Sequence, residues 1–204
     1  FIVHSSIYDR FTDALAVRAD AIVIGDPMAE ITQMGPVISK ASQVRCLRMI
    51  GKAKADGAVQ IAGLTSPDLT APFDKGFYIR PTIFKDVQSD HELFLEEVFG
   101  PVISMTPYTT EAEALELANT GNFGLGLSIW SRDIARAHRL SLGVRGGVVW
   151  LNDHHRNDPR SVWGGVRDSG FGKENGWDAL KAYTTKKSLV VRTAPGYDDW
   201  FAGS

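Results

Sequence analysis

Cysteine, long apolar runs and an excess of either charge are all scarce in this sequence of 204 residues. A single cysteine, Cys46, excludes an internal disulfide framework and suits a reducing compartment. No apolar run approaches the roughly 20 residues that a membrane-spanning helix needs, so we expect no membrane partner. The net charge of −2 provides no general attraction for nucleic acid, so none is expected as a partner. Together these absences predict a cytoplasmic protein.

The residues that are present are typical of a globular α/β protein. Hydrophobic residues make up 44% of the chain, which is enough for a sizeable core. Strand-like runs alternate with helical patterns, which predicts right-handed crossovers and a mainly parallel sheet with flanking helices. The predicted strands are 1–4, 21–24, 58–62, 78–84, 103–108, 125–130, 147–152 and 188–193. Because a strand pattern is already under way at residue 1, we expect the chain to be a piece of a longer protein.

Four helices are predicted from capping residues and from apolar side chains at helical spacing. They begin near Ser6, Ser39, Thr110 and Asp133, and the last three end near Gly57, Asn119 and Leu142. The predicted apolar faces are Ile7, Phe11 and Leu15 on the first helix, and Val44, Leu47, Ile50 and Ala53 on the second.

Residues 95–102, LEEVFGPV, form the first of three segments that are rich in chemically distinctive residues. Two adjacent carboxylates precede an aromatic ring, and Gly-Pro then forces the chain into a turn. A carboxylate beside an aromatic suits ribose recognition, because it accepts hydrogen bonds from two vicinal hydroxyls while the ring packs on a planar heterocycle. The alternative is a solvated helix end followed by a hydrophobic anchor, and the residues taken alone favour that alternative.

The second and third segments are an apolar strand that ends on Asn152 and a glycine-rich stretch over 163–176. Binding groups collect beyond the carboxyl ends of parallel strands, so Asn152 is either an oxyanion or cofactor contact or the start of a turn. The five glycines of 163–176 lack both the G-x-G-x-x-G and the G-x-x-x-x-G-K-[ST] spacing. This stretch is therefore not a phosphate loop on its own.

His154 and His155 raise the question of a metal site. Adjacent side chains of an extended segment point to opposite sides, and no second ligand pair has a recognised spacing. We therefore expect no metal. Cys46 lies in the middle of the second predicted helix, beside its apolar face and without a base nearby, so we expect a packed small side chain.

Six segments, in this order, resemble the aldehyde dehydrogenase superfamily and together extend over nearly the whole chain. They are GDP at 25–27, MGPVIS at 34–39, GFYIRPTIF at 76–84, EEVFGPV at 96–102, ANTGNFGL at 118–125 and WGGVRDSGFGKENG at 163–176. EEVFGPV is the most specific of them. The chain departs from the family's pattern at Gly121, where threonine is usual, at Val162 and Trp163, where Pro-Phe is usual, and at Arg167, where lysine is common.

By this resemblance the chain is the C-terminal part of the catalytic domain and begins just after the catalytic cysteine. Residues 1–187 would belong to that domain, and 188–204 would form an oligomerisation strand and tail. The resemblance implies oxidation of an aldehyde to a carboxylic acid by a cysteine nucleophile and a general-base glutamate, both upstream of Phe1. No catalytic residue is therefore expected in this chain, and the chain alone is expected to be inactive.

The resemblance also implies NAD or NADP as cofactor, with Glu97 on the nicotinamide ribose hydroxyls and Phe99 against the nicotinamide side. Counted back from the double glycine, Asn157 and Trp163 occupy positions that often line the family's substrate tunnel. Asn152 and Arg156 are added to them as substrate-binding candidates. These assignments are expectations for the full-length protein.

The run from 153 to 160 is unusually polar for an enzyme of simple aliphatic aldehydes. Arginine and histidine pair with polar groups at a desolvated site, so the expected aldehyde is polar, anionic or hydroxyaromatic. The run 188–193 fits the family's intersubunit strand, which predicts a homodimer or homotetramer as the full-length protein.

Two alternatives remain open: a non-catalytic scaffold or assembly module from a truncated gene, and a CoA-acylating or acyl-phosphate-reducing relative. Gly-Gln-x-Cys just before Phe1 would indicate an enzyme, and a native start codon there would indicate a scaffold.

Overall fold

The computed structural model describes residues 1–193, 195–196 and 202. In this part of the chain the strands are β1 (Ile2–His4), β2 (Val59–Ala62), β3 (Thr82–Lys85), β4 (Val102–Ser104), β5 (Thr106–Tyr108), β6 (Gly126–Ile129) and β7 (Val148–Leu151). The helices are α1 (Tyr8–Asp20), α2 (Lys40–Ala55), α3 (Glu92–Leu95), α4 (Glu111–Asn119), α5 (Ile134–Ser141) and α6 (Gly176–Ala182). Short 3-10 turns lie at Ser5–Ile7, Phe73–Lys75 and Arg167–Ser169.

Within the described residues, most strand pairings are parallel. β3 pairs with β4, β5 with β1, and β6 with β7 in parallel, whereas β2 pairs antiparallel with β3. Met105 is the residue between β4 and β5; its N–H donates to the carbonyl of Phe84, and its carbonyl accepts from the N–H of Val87. The segment 102–108 therefore connects the first two parallel pairings. The predicted α/β class with a mainly parallel sheet is confirmed.

β3 lies at the centre of the hydrophobic core. Ile83 and Phe84 are both fully buried, and they belong to two different core clusters on opposite faces of the strand. Ile83 packs in the cluster of β1 and α1, and Phe84 in the cluster of α2 and α3. Burial on both faces is what a short, apolar strand in a covered sheet requires.

Three of the four helix starts follow the predicted caps, whereas the cap predicted at Ser6 was wrong: α1 begins after Ile7, which forms no side-chain cap hydrogen bond. The hydroxyl of Ser39 accepts the N–H of Ser42, and the side chains of Thr110 and Asp133 do the same for residues three positions on. Such caps satisfy N–H groups that the first helical turn leaves without partners.

The predicted apolar face of α2 is partly wrong. Val44 and Leu47 are 54% and 52% exposed, whereas Cys46, Met49 and Ala53 face the core. The prediction followed steps of three, which rotate by about 60° per step around a helix and drift off one face.

In α1 the predicted face is also displaced. Ile7 precedes the helix and is exposed, as is Phe11, whereas Tyr8, Thr12 and Ala19 are buried. The hydroxyl of Tyr8 fixes this rotation, because it donates to the carbonyl of Met105 (3.1 Å) and accepts from the N–H of Asp86 (2.8 Å).

Three predicted strands differ from the structure. Residues 21–24 contribute only an isolated bridge between Ile24 and Met34. The strand predicted at 78–84 is reduced to β3, because Pro81 has no N–H for a ladder bond. Residues 188–193 are exposed and form no strand within the described part of the chain, since a strand needs a partner. Their role in oligomerisation remains a prediction, and Ala194, 197–201 and 203–204 of the predicted tail lie outside the described residues. Among the described helices, none has the length and apolar character needed to cross a membrane.

We expect Tyr8→Phe to lower the free energy of unfolding by about 1–3 kcal/mol, because it leaves the N–H of Asp86 and the carbonyl of Met105 without this partner. Tyr183→Phe is the matched control, since Tyr183 is 91% exposed. Urea unfolding of the purified chain measures both, and equal effects would contradict the assignment.

The same hydroxyl predicts a pH dependence. Burial raises the pKa of Tyr8 from 10.0 to about 12. Folding therefore favours the protonated phenol. Its contribution to the free energy of unfolding is complete below pH 10 and is lost as the pH rises towards about 12. Urea unfolding between these pH values should show this loss in the wild type, and the part due to Tyr8 should be missing from Tyr8→Phe.

Candidate cofactor and substrate site

The segment that follows α3 alternates between buried and exposed side chains. Val98 is buried in the core cluster of α2, whereas Glu97 and Phe99 on either side of it are exposed. Because Val98 is the hydrophobic anchor, Phe99 remains 73% exposed. Glu97 and Phe99 both line a surface depression of about 350 Å³.

Two adjacent residues of α2 hold the backbone of this segment. The guanidinium of Arg45 donates to the carbonyl of Glu97 at 3.2 Å, and the thiol of Cys46 lies 3.8 Å from the carbonyl of Val98. Gly100 lies so close to α2 that a Cβ there would be 2.4 Å from the Cys46 sulfur. Arg45 was not among the predicted site residues, because a contact between residues 45 and 97 leaves no local sequence signal.

Cys46 is fully buried, as expected of a packed small side chain. Burial raises the pKa of its thiol, although the charge of Arg45 lowers it in part. A thiol that is held protonated is a poor nucleophile, so the function of Cys46 is to pack in the core.

The backbone of Phe99 adopts a left-handed conformation with φ of 52°. This conformation costs a bulky residue about 1–2 kcal/mol. Since the ring stays exposed, packing of the ring in the core does not offset the strain. Strain at an exposed aromatic is characteristic of binding segments.

Asn152 lies just after β7, and its side chain is hydrogen-bonded to the chain after β6. Its Oδ1 accepts from the N–H of Ser131 (2.8 Å), and its Nδ2 donates to the carbonyl of the same residue (2.9 Å). These bonds join the chain after β7 to the chain after β6, so the side-chain amide of Asn152 has a structural function. A substrate contact for this residue remains a prediction.

Four rings meet beside β7. The ring centroid of Trp150 lies 5.9 Å from that of Trp163, 5.7 Å from His154 and 6.3 Å from His155. The two histidine rings are 6.0 Å apart, so the expectation that they point to opposite sides was wrong. His155 has φ of 57°, which breaks the extended geometry on which that expectation depended. No group of three or more His, Cys, Asp or Glu in the described residues could hold a metal ion.

The predicted substrate residues lie in the run between Trp150 and Trp163. The indole N–H of Trp150 donates to the carbonyl of Arg156 at 2.9 Å, which fixes the backbone beside Asn157. The side chains of Arg156 and Asn157 are exposed, and the guanidinium of Arg156 lies 3.9 Å from the carboxylate of Asp153.

The two ends of the glycine-rich stretch are hydrogen-bonded to each other. Trp163 and Glu174 exchange two backbone hydrogen bonds of 2.7 Å, and the ammonium of Lys173 donates to the carbonyls of Gly164 and Gly165. A Cβ on Gly147, just before β7, would be 1.7 Å from the Gly164 carbonyl oxygen. The glycines therefore permit close packing of backbone on backbone.

Arg167 stands where the family commonly has lysine, and it has a structural function here. Its guanidinium donates to the carbonyls of Asn119 (3.0 Å) and Gly121 (2.7 Å), which ties this stretch to the end of α4.

The sequence profile of the aldehyde dehydrogenase family matches residues 1–189. The chain belongs to this family. A betaine aldehyde dehydrogenase from Brucella anthropi is 40% identical over 189 residues, which cover 93% of this chain and 39% of the relative. A phenylacetaldehyde dehydrogenase from Pseudomonas fluorescens is 41% identical over 190 residues, which cover 93% of this chain and 37% of the relative.

Solved structures of aldehyde dehydrogenases share the fold. The crystal structure of betaine aldehyde dehydrogenase from Staphylococcus aureus in complex with NAD⁺ superposes with a TM-score of 0.94 at 35% identity. The superposition covers 99% of this chain and 40% of that one. The chain thus spans about two fifths of the length of the relatives it matches, and the resemblance drawn from the six sequence segments is confirmed.

We expect Gly100→Ala to lower the free energy of unfolding by about 1–3 kcal/mol, because the added methyl would collide with the buried Cys46 sulfur. Gly51→Ala, in α2 with nothing within 4 Å of the added methyl, is the matched control and should stabilise the helix by up to about 1 kcal/mol. Urea unfolding measures both. In a Cys46→Ala background the cost of Gly100→Ala should fall by about 1 kcal/mol or more, and an undiminished cost would contradict the contact.

Proposed function

We propose that this chain is the C-terminal part of the catalytic domain of an NAD(P)-dependent aldehyde dehydrogenase and supplies one wall of its active site. The observation that carries the proposal is the projection of Glu97 and Phe99 from one exposed surface, on either side of the buried Val98. This arrangement goes beyond what a solvated helix end requires, since Phe99 keeps a strained backbone while its ring faces solvent.

The exposed surface fits the nicotinamide half of a dinucleotide. The two oxygens of the Glu97 carboxylate can accept hydrogen bonds from both hydroxyls of a ribose, and the neighbouring ring of Phe99 offers an apolar face to a planar heterocycle. When bound, the nicotinamide would supply the acceptor for the hydride that leaves the aldehyde carbon. Arg45 and Cys46 hold the backbone that carries these two side chains, so they fix the position of the ribose contact.

We assign the run from residue 153 to Trp163 to the wall that contacts the aldehyde. Arg156 and Asn157 are two of its exposed polar residues. We propose that the substrate is a polar or hydroxyaromatic aldehyde, which is oxidised to the carboxylic acid. One relative is named for betaine aldehyde, which is polar and consistent with this class, whereas another is named for phenylacetaldehyde, an aromatic aldehyde without a ring hydroxyl. The nucleophilic cysteine and the general-base glutamate would be supplied by the remainder of the enzyme, and this chain would bind and orient.

The exposed run 188–193 is assigned to oligomerisation. Leu189, Val190 and Val191 are all exposed in the described chain, and an apolar run without strand partners is a site for pairing with another chain. We propose a homodimer or homotetramer for the complete enzyme, with this run as an intersubunit strand.

The chain of 204 residues is expected to show no dehydrogenase activity by itself, because its one cysteine is fully buried with a raised thiol pKa. Reduction of NAD⁺ or NADP⁺ by the purified chain, followed at 340 nm with several aldehydes, measures this. Turnover above the background rate, retained in a Cys46→Ala variant, would show that the nucleophile had been misassigned.

In the complete enzyme, Glu97→Gln is expected to lower kcat/KM for the preferred dinucleotide by roughly 10- to 100-fold, since hydrogen bonds to a charged group contribute about 1.5–3 kcal/mol. Glu96→Gln is the matched control, because Glu96 is an exposed carboxylate at the adjacent position. Its effect should stay within about twofold. Steady-state kinetics at saturating aldehyde measure both, and equal losses in the two variants would refute the assignment of Glu97.

A further inference from the structure

α3 is a single helical turn that leads directly into the candidate cofactor surface. It consists of Glu92–Leu95, and Glu96 and Glu97 follow it. In the described part of the chain, His91 at its start forms no side-chain cap hydrogen bond. A helix of this length is not stable by itself, since isolated helices shorter than about 12 residues are marginal in water. The position of α3 therefore depends on its contacts with other elements.

Apolar contacts determine how deeply this segment lies in the core. Leu93 and Val98 are buried in the same cluster as Cys46 and Met49 of α2. Burial of apolar surface has no preferred direction, so by itself it permits small rotations and shifts of the segment. Directional contacts are needed to fix the orientation of the Glu97 carboxylate.

Two arginines of α2 provide directional contacts at both ends of the segment. Arg45 and Arg48 are three positions apart and therefore neighbours on the helix surface, and both are exposed. The guanidinium of Arg48 donates two hydrogen bonds, of 2.6 and 3.0 Å, to the two carboxylate oxygens of Glu92. The guanidinium of Arg45 donates to the carbonyl of Glu97. The segment is thus held at its first residue and at the residue assigned to the ribose.

The pair of Arg48 and Glu92 has the geometry of an effective surface ion pair. A bidentate pair uses two donors of one planar guanidinium, which gives directional specificity as well as energy. The hydrogen bonds from Arg48 lower the pKa of the Glu92 carboxyl, which keeps the pair charged. The carbonyl of Glu92 also accepts the N–H of Glu96 at 2.8 Å. A displacement of Glu92 is therefore transmitted to the residue beside Glu97.

We propose that Arg48 and Glu92 form a positioning pair for the dinucleotide, because they orient the segment that presents Glu97 to the nicotinamide ribose. The inference rests on the proposed function, since it assumes that Glu97 receives the ribose. Breaking this pair should weaken binding of the dinucleotide and leave recognition of the aldehyde unaltered. The run from residue 153 to Trp163 is held by other contacts, those of Trp150 with Arg156 and of Trp163 with Glu174.

The test measures the Kd of the complete enzyme for its preferred dinucleotide by isothermal titration calorimetry. Arg48→Met and Glu92→Gln should each raise this Kd by about three- to fivefold, which corresponds to the upper range for exposed ion pairs. The double variant should bind no more weakly than either single variant, because both substitutions remove the same interaction. Exchange of the two charges, Arg48→Glu with Glu92→Arg, should return the Kd to within about twofold of the wild-type value.

Arg139→Met is the matched control. Arg139 donates to Glu111 at 2.8 Å, which makes another exposed arginine–glutamate pair between two helices, α5 and α4. Since neither helix carries Glu97 or Phe99, the dinucleotide Kd should stay within about 1.5-fold of the wild-type value. The KM for the aldehyde should stay within about twofold in all variants. Urea unfolding of each variant shows whether its loss of stability exceeds that of the control.

The outcomes separate this inference from the proposed function. An unaltered dinucleotide Kd in both single variants would overturn the positioning pair, and a loss in Glu97→Gln would still support the cofactor surface. Equal rises in the dinucleotide Kd and the aldehyde KM would also overturn it, because the pair would then serve only general stability. If Arg48→Met does not fold, Arg48→Lys keeps the charge without the bidentate geometry, and its Kd should rise by about twofold. Failure of the complete enzyme to bind any dinucleotide would overturn the proposed function itself.

Discussion

Burial of β3 on both faces is the constraint on which the rest of the structure depends. Ile83 faces the cluster built by β1 and α1, and Phe84 faces the cluster built by α2 and α3. A strand with two buried faces must be covered by an element on each side, so it determines where α1 and α2 can lie. β4 pairs with β3, and the backbone that enters β4 is the segment carrying Glu97 and Phe99. The position of the candidate cofactor surface therefore follows from the packing of a strand that touches no ligand.

The left-handed residues show where this order is interrupted. Of the six left-handed non-glycine residues in the described chain, Phe99, Asn152 and His155 lie in segments that we assign to binding or to its immediate support, whereas Asp86, Arg167 and Asn175 do not. Asparagine tolerates this conformation better than bulky residues, and the side chain of Asn152 is also held by its hydrogen bonds to Ser131. Phe99 and His155 lack that compensation. Both of their rings are exposed.

Local features of the structure were predictable from the sequence, and long-range ones were not. Caps at Ser39, Thr110 and Asp133 depend on residues three positions apart, so the pattern alone identifies them. Glu97 and Phe99 could be named because they lie within one short motif. The hydrogen bond from Arg45 to Glu97 and the tilted contact between the rings of Trp150 and Trp163 join positions that no spacing rule connects. The faces of α1 and α2 were misplaced for the same reason: tertiary contacts of Tyr8 and Cys46, rather than apolar spacing, set the rotation of each helix.

The polar run between Asn152 and Trp163 is fastened at both ends. Asn152 is tied to Ser131 by its amide, and Trp163 is tied to Glu174 by two backbone bonds. Within the run, the side chains of Arg156 and Asn157 are exposed, so they contribute little to the stability of the fold. Under the proposed function, mutations in this exposed segment would change which aldehydes are accepted while the sheet beneath keeps its register. A change of substrate preference would then need substitutions in only one short stretch of chain, and a library for laboratory evolution could be concentrated there.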